Sequence, residues 1–146
     1  MYKSLSLIML VGLVMFTGCA TTSIPMDRAL DIPQDRILAK NLIESNSNSD
    51  VEVTFIRDQG MIGSGCYINI FYNDRMIFKL EMSEIVTVYI PEGEHILGMR
   101  FGDKGLCQAP DHFEGMVTVR KTRKNLYRIQ TDNEGIIWIK PTGHIK

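Results

Sequence analysis

From Val51 onward the chain alternates apolar and polar positions with a period of two. Val51, Val53 and Phe55 fall on one side of an extended segment, with Glu52 and Thr54 on the other. That is the pattern of a strand with one buried face. Cys66, Ile68, Ile70 and Tyr72 share a side opposite Tyr67, Asn69 and Phe71, and Asn73-Asp74 then supplies a turn into a returning strand over 76–80. Residues 85–90 are β-branched and aromatic and end at Pro91-Glu92-Gly93-Glu94, a turn sequence, with 95–101 as the hairpin partner. Residues 102–110 read as a loop. Strands follow over 114–120, 126–131 and 136–140, separated by turns at 121–125 and at Asn133-Glu134-Gly135. The expectation is an all-β, antiparallel β-sandwich of about seven or eight short strands. No helical crossover separates the strands, which disfavours parallel pairing.

Before Val51 the pattern is different. Residues 33–45, PQDRILAKNLIES, place Pro33 at a first helical position, Asp35 in the first turn, and Leu38 and Leu42 one turn apart. A short helix is predicted, with an edge strand through 36–42 as the competing reading. Asn46-Ser47-Asn48-Ser49-Asp50 is a polar break. Residues 19–32 are small, polar and Pro-containing, as expected of a tether. The domain proper therefore spans 33–146.

At the start of the chain, Lys3 precedes an unbroken apolar run over 7–16, which ends in Thr17-Gly18-Cys19. The run is too short to cross a bilayer, which takes about 20 apolar residues. A basic start, an apolar middle and a small-residue end make the layout of a secretory signal. A cysteine directly after the small residues resembles the lipobox of bacterial lipoprotein signal peptides. That resemblance implies a diacylglycerol thioether on Cys19, removal of residues 1–18 and acylation of the freed amine. Two or more acyl chains would make attachment stable. By resemblance to Gram-negative lipoproteins, Ala20 after the cysteine implies lodging in the outer membrane, on its periplasmic face.

Removing residues 1–18 takes away one basic side chain, Lys3. The rest then carries 15 basic and 17 acidic groups, a formal charge of −2. That balance offers no polycationic field to recruit nucleic acid. With Cys19 committed to lipid, Cys66 and Cys107 remain, and in an oxidising compartment they read as one disulfide. Two separately buried thiols are the other reading. No histidine lies at ligand spacing from either cysteine, and there is no C-x-x-C, so neither a metal pair nor a redox pair is expected. No cofactor is implied.

The segment CYINIFYNDRMIFKLEMSEIVTVYIPEGEHILGMRF, residues 66–101, resembles a small β-sandwich domain that recurs on bacterial lipoproteins and has no assigned activity. The resemblance lies in Asn73-Asp74-Arg75, the strand around Val86 to Ile90, and Pro91-Glu92-Gly93-Glu94-His95. The glycine usual after the turn aspartate is missing, since Arg75 follows Asp74.

Candidate chemistry is sparse. His95 follows a tight turn and is suited to cover the hairpin end or bond a turn carbonyl. Asp111-His112 lies near Cys107 and is the best placed enzymatic pair, although adjacent residues on an extended chain point to opposite sides. His144 sits at the chain end. The glycine-rich GMIGSG, 60–65, lacks the lysine and hydroxyl residue of a phosphate loop. Its tip residues Met61 and Ile62 are candidates for a contact surface. The cluster of Arg120, Lys121, Arg123 and Lys124 is either a solvated turn that blocks edge aggregation or a contact for anionic polymers or lipid phosphates. Trp138, between Ile137 and Ile139, is expected in the core.

The function expected from these readings is a non-enzymatic, lipid-anchored binding or scaffolding module of the bacterial envelope. Its partners would be the membrane and an envelope protein or anionic polymer. An accessory lipoprotein of a secretion, conjugation or surface-exclusion assembly is the more specific alternative. An envelope hydrolase acting through His112 and Asp111 is the enzymatic one.

Overall fold

A computed structural model describes residues 21–45, 50–102, 107 and 111–142. The leader, Cys19 and His144 lie outside the described residues. The alternating segments form β1 (Leu30–Asp31), β2 (Asp50–Arg57), β3 (Tyr67–Tyr72), β4 (Arg75–Leu80), β5 (Glu84–Pro91), β6 (Gly93–Gly102), β7 (Phe113–Val119), β8 (Asn125–Thr131) and β9 (Ile137–Pro141). They build a five-stranded sheet ordered β1-β5-β2-β8-β9 and a four-stranded sheet ordered β4-β3-β6-β7. The all-β sandwich is therefore the fold. Its strand segments coincide closely with the runs of period two.

The expectation of purely antiparallel pairing needs correction. β2 runs parallel to β8, with Val53 opposite Asn125 and Arg57 opposite Ile129, and β1 runs parallel to β5. A parallel neighbour needs a crossover of a dozen residues or more. Between β2 and β8 that crossover is β3–β7, which includes the whole second sheet, so no helix is required.

The inner faces of the two sheets meet in a core that includes Val53, Phe55, Ile68, Ile70, Phe78, Leu80, Val88, Leu97, Met99, Val117, Tyr127 and Ile129. Phe55 lies between Phe78 and Tyr127, with ring centroids 5.7 and 5.9 Å away, a spacing favoured by aromatic quadrupoles. The Tyr127 hydroxyl donates to the Thr118 carbonyl at 2.6 Å and accepts from the Thr118 amide at 2.8 Å. Its buried oxygen is thus satisfied while it joins β8 to β7. On the flank where β9 meets β7, a Cβ built on Gly115 would stand 1.9 Å from Ile139 Cγ2. Only glycine permits that approach.

Two turns explain local features of the sequence. Asn73 and Asp74 have φ of 48° and 59° and form the two-residue connection between the paired Tyr72 and Arg75. This is the double left-handed geometry of a type I′ hairpin turn, reached without glycine because Asn and Asp tolerate that region. The hairpin expected between 85–90 and 95–101 does not form: β5 belongs to the five-stranded sheet and β6 to the four-stranded one, so Pro91-Glu92-Gly93 carries the chain from one sheet to the other. His95 closes that crossing, with Nε2 at 2.8 Å from the Pro91 carbonyl and Nδ1 at 3.1 Å from the Tyr72 hydroxyl.

The short helix expected over 33–45 is replaced by two single 3-10 turns, Gln34–Arg36 and Lys40–Leu42. Between them Ile37 is extended, with φ −92° and ψ 106°. Its backbone bridges Phe78, and the amides of Leu38 and Ala39 both donate to the Ile77 carbonyl. The exposed edge of β4 supplies a backbone acceptor, and burying Ile37 there outweighs a weak intrinsic helix propensity. Leu38, expected to share a helix face with Leu42, is 49% exposed.

Trp138 also departs from expectation. It is 48% exposed, while Ile137 beside it is buried and Ile139 packs against the core. A strand sends alternate residues to opposite faces, so seating both isoleucines turns the indole outward.

Candidate functional site

The arrangement that organises one end of the molecule begins with the residues just after Cys19. Residues 21–32, expected as part of a tether, lie across the outer face of the five-stranded sheet. Thr22 pairs with Gln59 through two backbone hydrogen bonds of 2.7 and 3.0 Å, and the Thr21 hydroxyl donates to the Thr131 carbonyl. The Ile24 amide donates to Asp58 Oδ1 at 3.1 Å, and Arg128 Nη1 donates both to the Ile24 carbonyl at 2.9 Å and to Asp58 Oδ1. Asp58 Oδ2 accepts from Ser23 Oγ at 3.2 Å and Gln130 Nε2 at 2.8 Å. The carboxylate of Asp58 is fully buried and the Arg128 side chain is 8% exposed. Ile24 of the strap and the outward-facing Ile56 of β2 are both buried, and Leu30–Asp31 then joins the sheet as β1.

This strap borders the glycine-rich loop. A Cβ on Gly60 would stand 3.1 Å from Thr21 Oγ1, so the loop rises beside the point where the N-terminal segment reaches the body. Its base is rigid. Arg57, inward-facing on β2 and 3% exposed, donates to the carbonyls of Gly63 and Cys66 at 2.6 Å each and of Leu80 at 2.8 Å. Burial pushes its guanidinium down to about 10, against the pull of Glu84 and Glu81, and it stays cationic at neutral pH. Gly63 has φ of 70°, and a Cβ there would collide with the Phe101 ring at 2.4 Å. Cys66 is bonded to Cys107, with Cα atoms 5.5 Å apart. From this base the tip projects Met61, 70% exposed, and Ile62, 40% exposed. Ile62 Cγ2 lies 3.9 Å from a Cβ built on Gly135, in the turn between β8 and β9. Beside that turn, Trp138 Nε1 donates to Asp132 Oδ2 at 3.0 Å.

The basic cluster lies at the other end. Because β2 and β8 are parallel and Asn125 opens β8, the turn before it sits at the start of β2, while Gly60 follows the end of β2. An eight-residue strand is about 26 Å long, which sets the separation of the two candidate surfaces. Asn125 organises the basic turn by accepting from the Arg120 amide and donating to the carbonyls of Arg120 and Arg123. Arg123 also donates to the Thr118 carbonyl at 2.8 Å. Lys121, Arg123 and Lys124 border an open cleft of about 1230 Å³ that also takes in Glu52, Leu126 and Thr142.

The outer face of the four-stranded sheet carries a smaller cleft of about 610 Å³, lined in part by Phe71, Glu94, His95, Arg100, His112 and Glu114. The His112 ring rests on Gly98, where a Cβ would come within 2.7 Å of it, and meets Phe71 edge-on at 5.9 Å. Arg100 covers the Phe71 ring at 5.0 Å. The fold thus brings His95 and His112 to one cleft. Asp111, the proposed partner of His112, does not line it. Among the described residues no group of three or more histidine, cysteine or acidic side chains is arranged to hold a metal, and no helix is long and apolar enough to cross a membrane.

Comparison with family models, with curated proteins and with solved structures returned no match for this chain.

The set formed by Asp58, Arg128, Gln130 and the strap was missed in the sequence. One signal pointed towards it. Phe55 and Ile56 are consecutive apolar residues in an alternating strand, so the outer face at Ile56 had to be covered. Nothing in the pattern said by which segment.

Proposed function

We propose that this chain is a lipid-anchored binding or scaffolding module of the bacterial envelope, attached through Cys19 and without catalytic activity of its own. The observation that carries the reading is the strap. The segment that follows the candidate lipidation site is bonded into the sandwich from Thr21 onward, so an acylated Cys19 would hold the body at the membrane surface. Two or more acyl chains suffice for stable attachment. The far end, with Lys121, Arg123 and Lys124 around its cleft, would then face the aqueous side and suit a partner that presents carboxylates or phosphates.

The test is expression of the full chain in a bacterial envelope, comparing wild type with Cys19→Ala. Intact mass should show loss of residues 1–18 and an acylated Cys19. The variant should leave the membrane fraction and lose its crosslinked neighbours. Unchanged membrane retention in Cys19→Ala, or an unmodified thiol in the wild type, would refute the reading.

A further inference from the structure

We propose that the sandwich docks end-on, with Met61 and Ile62 inserted into the interface of the same leaflet that holds the acyl chains. This rests on the lipid-anchored reading and adds which surface meets the bilayer. The lipid-bearing residue would be Cys19, and among the described residues Thr21 is already bonded to the body. Two residues of extended chain span at most about 7 Å. The end of the sandwich at Thr21 therefore cannot leave the headgroup zone while the anchor is in place.

At that end stands the loop whose base touches Thr21 through Gly60. Residues 59–65, QGMIGSG, contain no charged side chain, so their transfer into the interface desolvates no ion. Met61 and Ile62 are among the large apolar side chains left exposed to water, and they sit together at the tip. Apolar side chains entering the boundary between headgroups and acyl chains gain in proportion to the area removed from water. The base of the loop is held before docking, because Arg57 binds the carbonyls of Gly63 and Cys66 and ties them to Leu80 of β4, and the Cys66–Cys107 disulfide joins its C-terminal side. Little conformational freedom is then left to lose, which favours binding. The neighbouring turn carries Asp132 and Glu134 rather than cations, so attraction to anionic lipid is not the driving force.

The docked orientation places the basic turn about 26 Å from the leaflet, the length of β2. That is more than two Debye lengths at physiological salt, about 8 Å each. Lys121, Arg123 and Lys124 are therefore directed at a partner on the aqueous side and not at the phosphates of this membrane.

The test uses the full chain, processed in a bacterial envelope, purified and reconstituted into phosphatidylethanolamine-rich vesicles containing lipids brominated near the headgroup. The natural indole is removed by Trp138→Phe, and a reporter is placed either at the tip by Met61→Trp or on the outer face of the four-stranded sheet by Ile96→Trp. Both host positions are exposed, so neither substitution disturbs packing. Emission from the tip reporter should shift to the blue, and its quenching should exceed that of the control by about twofold or more, since an indole at the interface loses water contact. Added salt should leave the difference unchanged. Equal quenching of both reporters in correctly acylated protein would overturn end-on docking alone. A mass showing no acyl group on Cys19 would overturn the anchor and this inference together.

Discussion

Removing the carboxylate of Asp58 tests whether the strap is part of the folded body. Its two oxygens accept from the Ile24 amide, Arg128, Ser23 and Gln130. In Asp58→Ala, Arg128 keeps the Ile24 carbonyl but loses its counter-charge at a side chain only 8% exposed. Deleting one partner of a buried ion pair costs about 3–5 kcal/mol, a large share of the roughly 5–15 kcal/mol that stabilises a domain. Arg128→Met should cost a similar amount for the mirror reason. The double variant Asp58→Ala/Arg128→Met buries no unpaired charge, so its loss should fall short of the sum of the singles by about 2–3 kcal/mol. Urea denaturation gives the four free energies, and hydrogen exchange at the Ile24 amide reports the strap directly. Faster exchange at Ile24 than in the core strands would show that the strap detaches before the sandwich unfolds. Single variants within about 1 kcal/mol of wild type, with unchanged exchange at Ile24, would refute the reasoning.

Three further outcomes are expected. The Cys66–Cys107 bond joins residues 41 apart, and the chain-entropy model assigns such a loop about 4 kcal/mol. Cys66→Ser/Cys107→Ser should lower the urea midpoint accordingly, and an unchanged midpoint would show that the bond contributes nothing. The indole of Trp138, followed by three backbone amides, holds the Asp132 carboxyl below its ordinary 3.8. A depressed carboxyl stabilises above its unfolded value and loses that contribution as pH falls through the folded one. Fluorescence of the single tryptophan should therefore change with a midpoint below pH 3.8, and the change should vanish in Asp132→Ala; a midpoint above that value would contradict the hydrogen bond. Gly115→Ala should cost about 1–3 kcal/mol by overpacking, because its Cβ would meet Ile139 Cγ2 at 1.9 Å. Thermal denaturation checks it, and a melting temperature equal to wild type would place Ile139 elsewhere.

Much of the fold was legible because a strand writes its own signal. Alternation at Val51, Val53 and Phe55 and at Ile68 and Ile70 marks a buried face whatever the partner strand is. Turn chemistry at Asn73-Asp74 marks where the chain reverses, and at Pro91 to Glu94 it marks where a strand ends, although there the chain crosses to the other sheet instead of forming a hairpin. His95 was readable for the same reason, since its partner, the Pro91 carbonyl, lies four residues away. The candidate surfaces were legible only as lists of residues. Met61 and Ile62 could be recognised as a tip, and Arg120 to Lys124 as a basic turn. That they stand at opposite ends follows from the parallel pairing of β2 with β8, which joins segments some seventy residues apart and leaves no mark in either.

Local chemistry alone determined most of the strands, the turn at Asn73-Asp74 and, as a preferred reading, the pairing of Cys66 with Cys107. Tertiary structure decided the rest through contacts that no short window contains. Ile37 left a helical pattern because β4 offered it an edge and a carbonyl. Trp138 turned outward because Ile137 and Ile139 both had inner places to fill. Residues 21–32, polar and without period, became a strap because Asp58 and Arg128 offered their backbone a buried, charge-assisted set of partners.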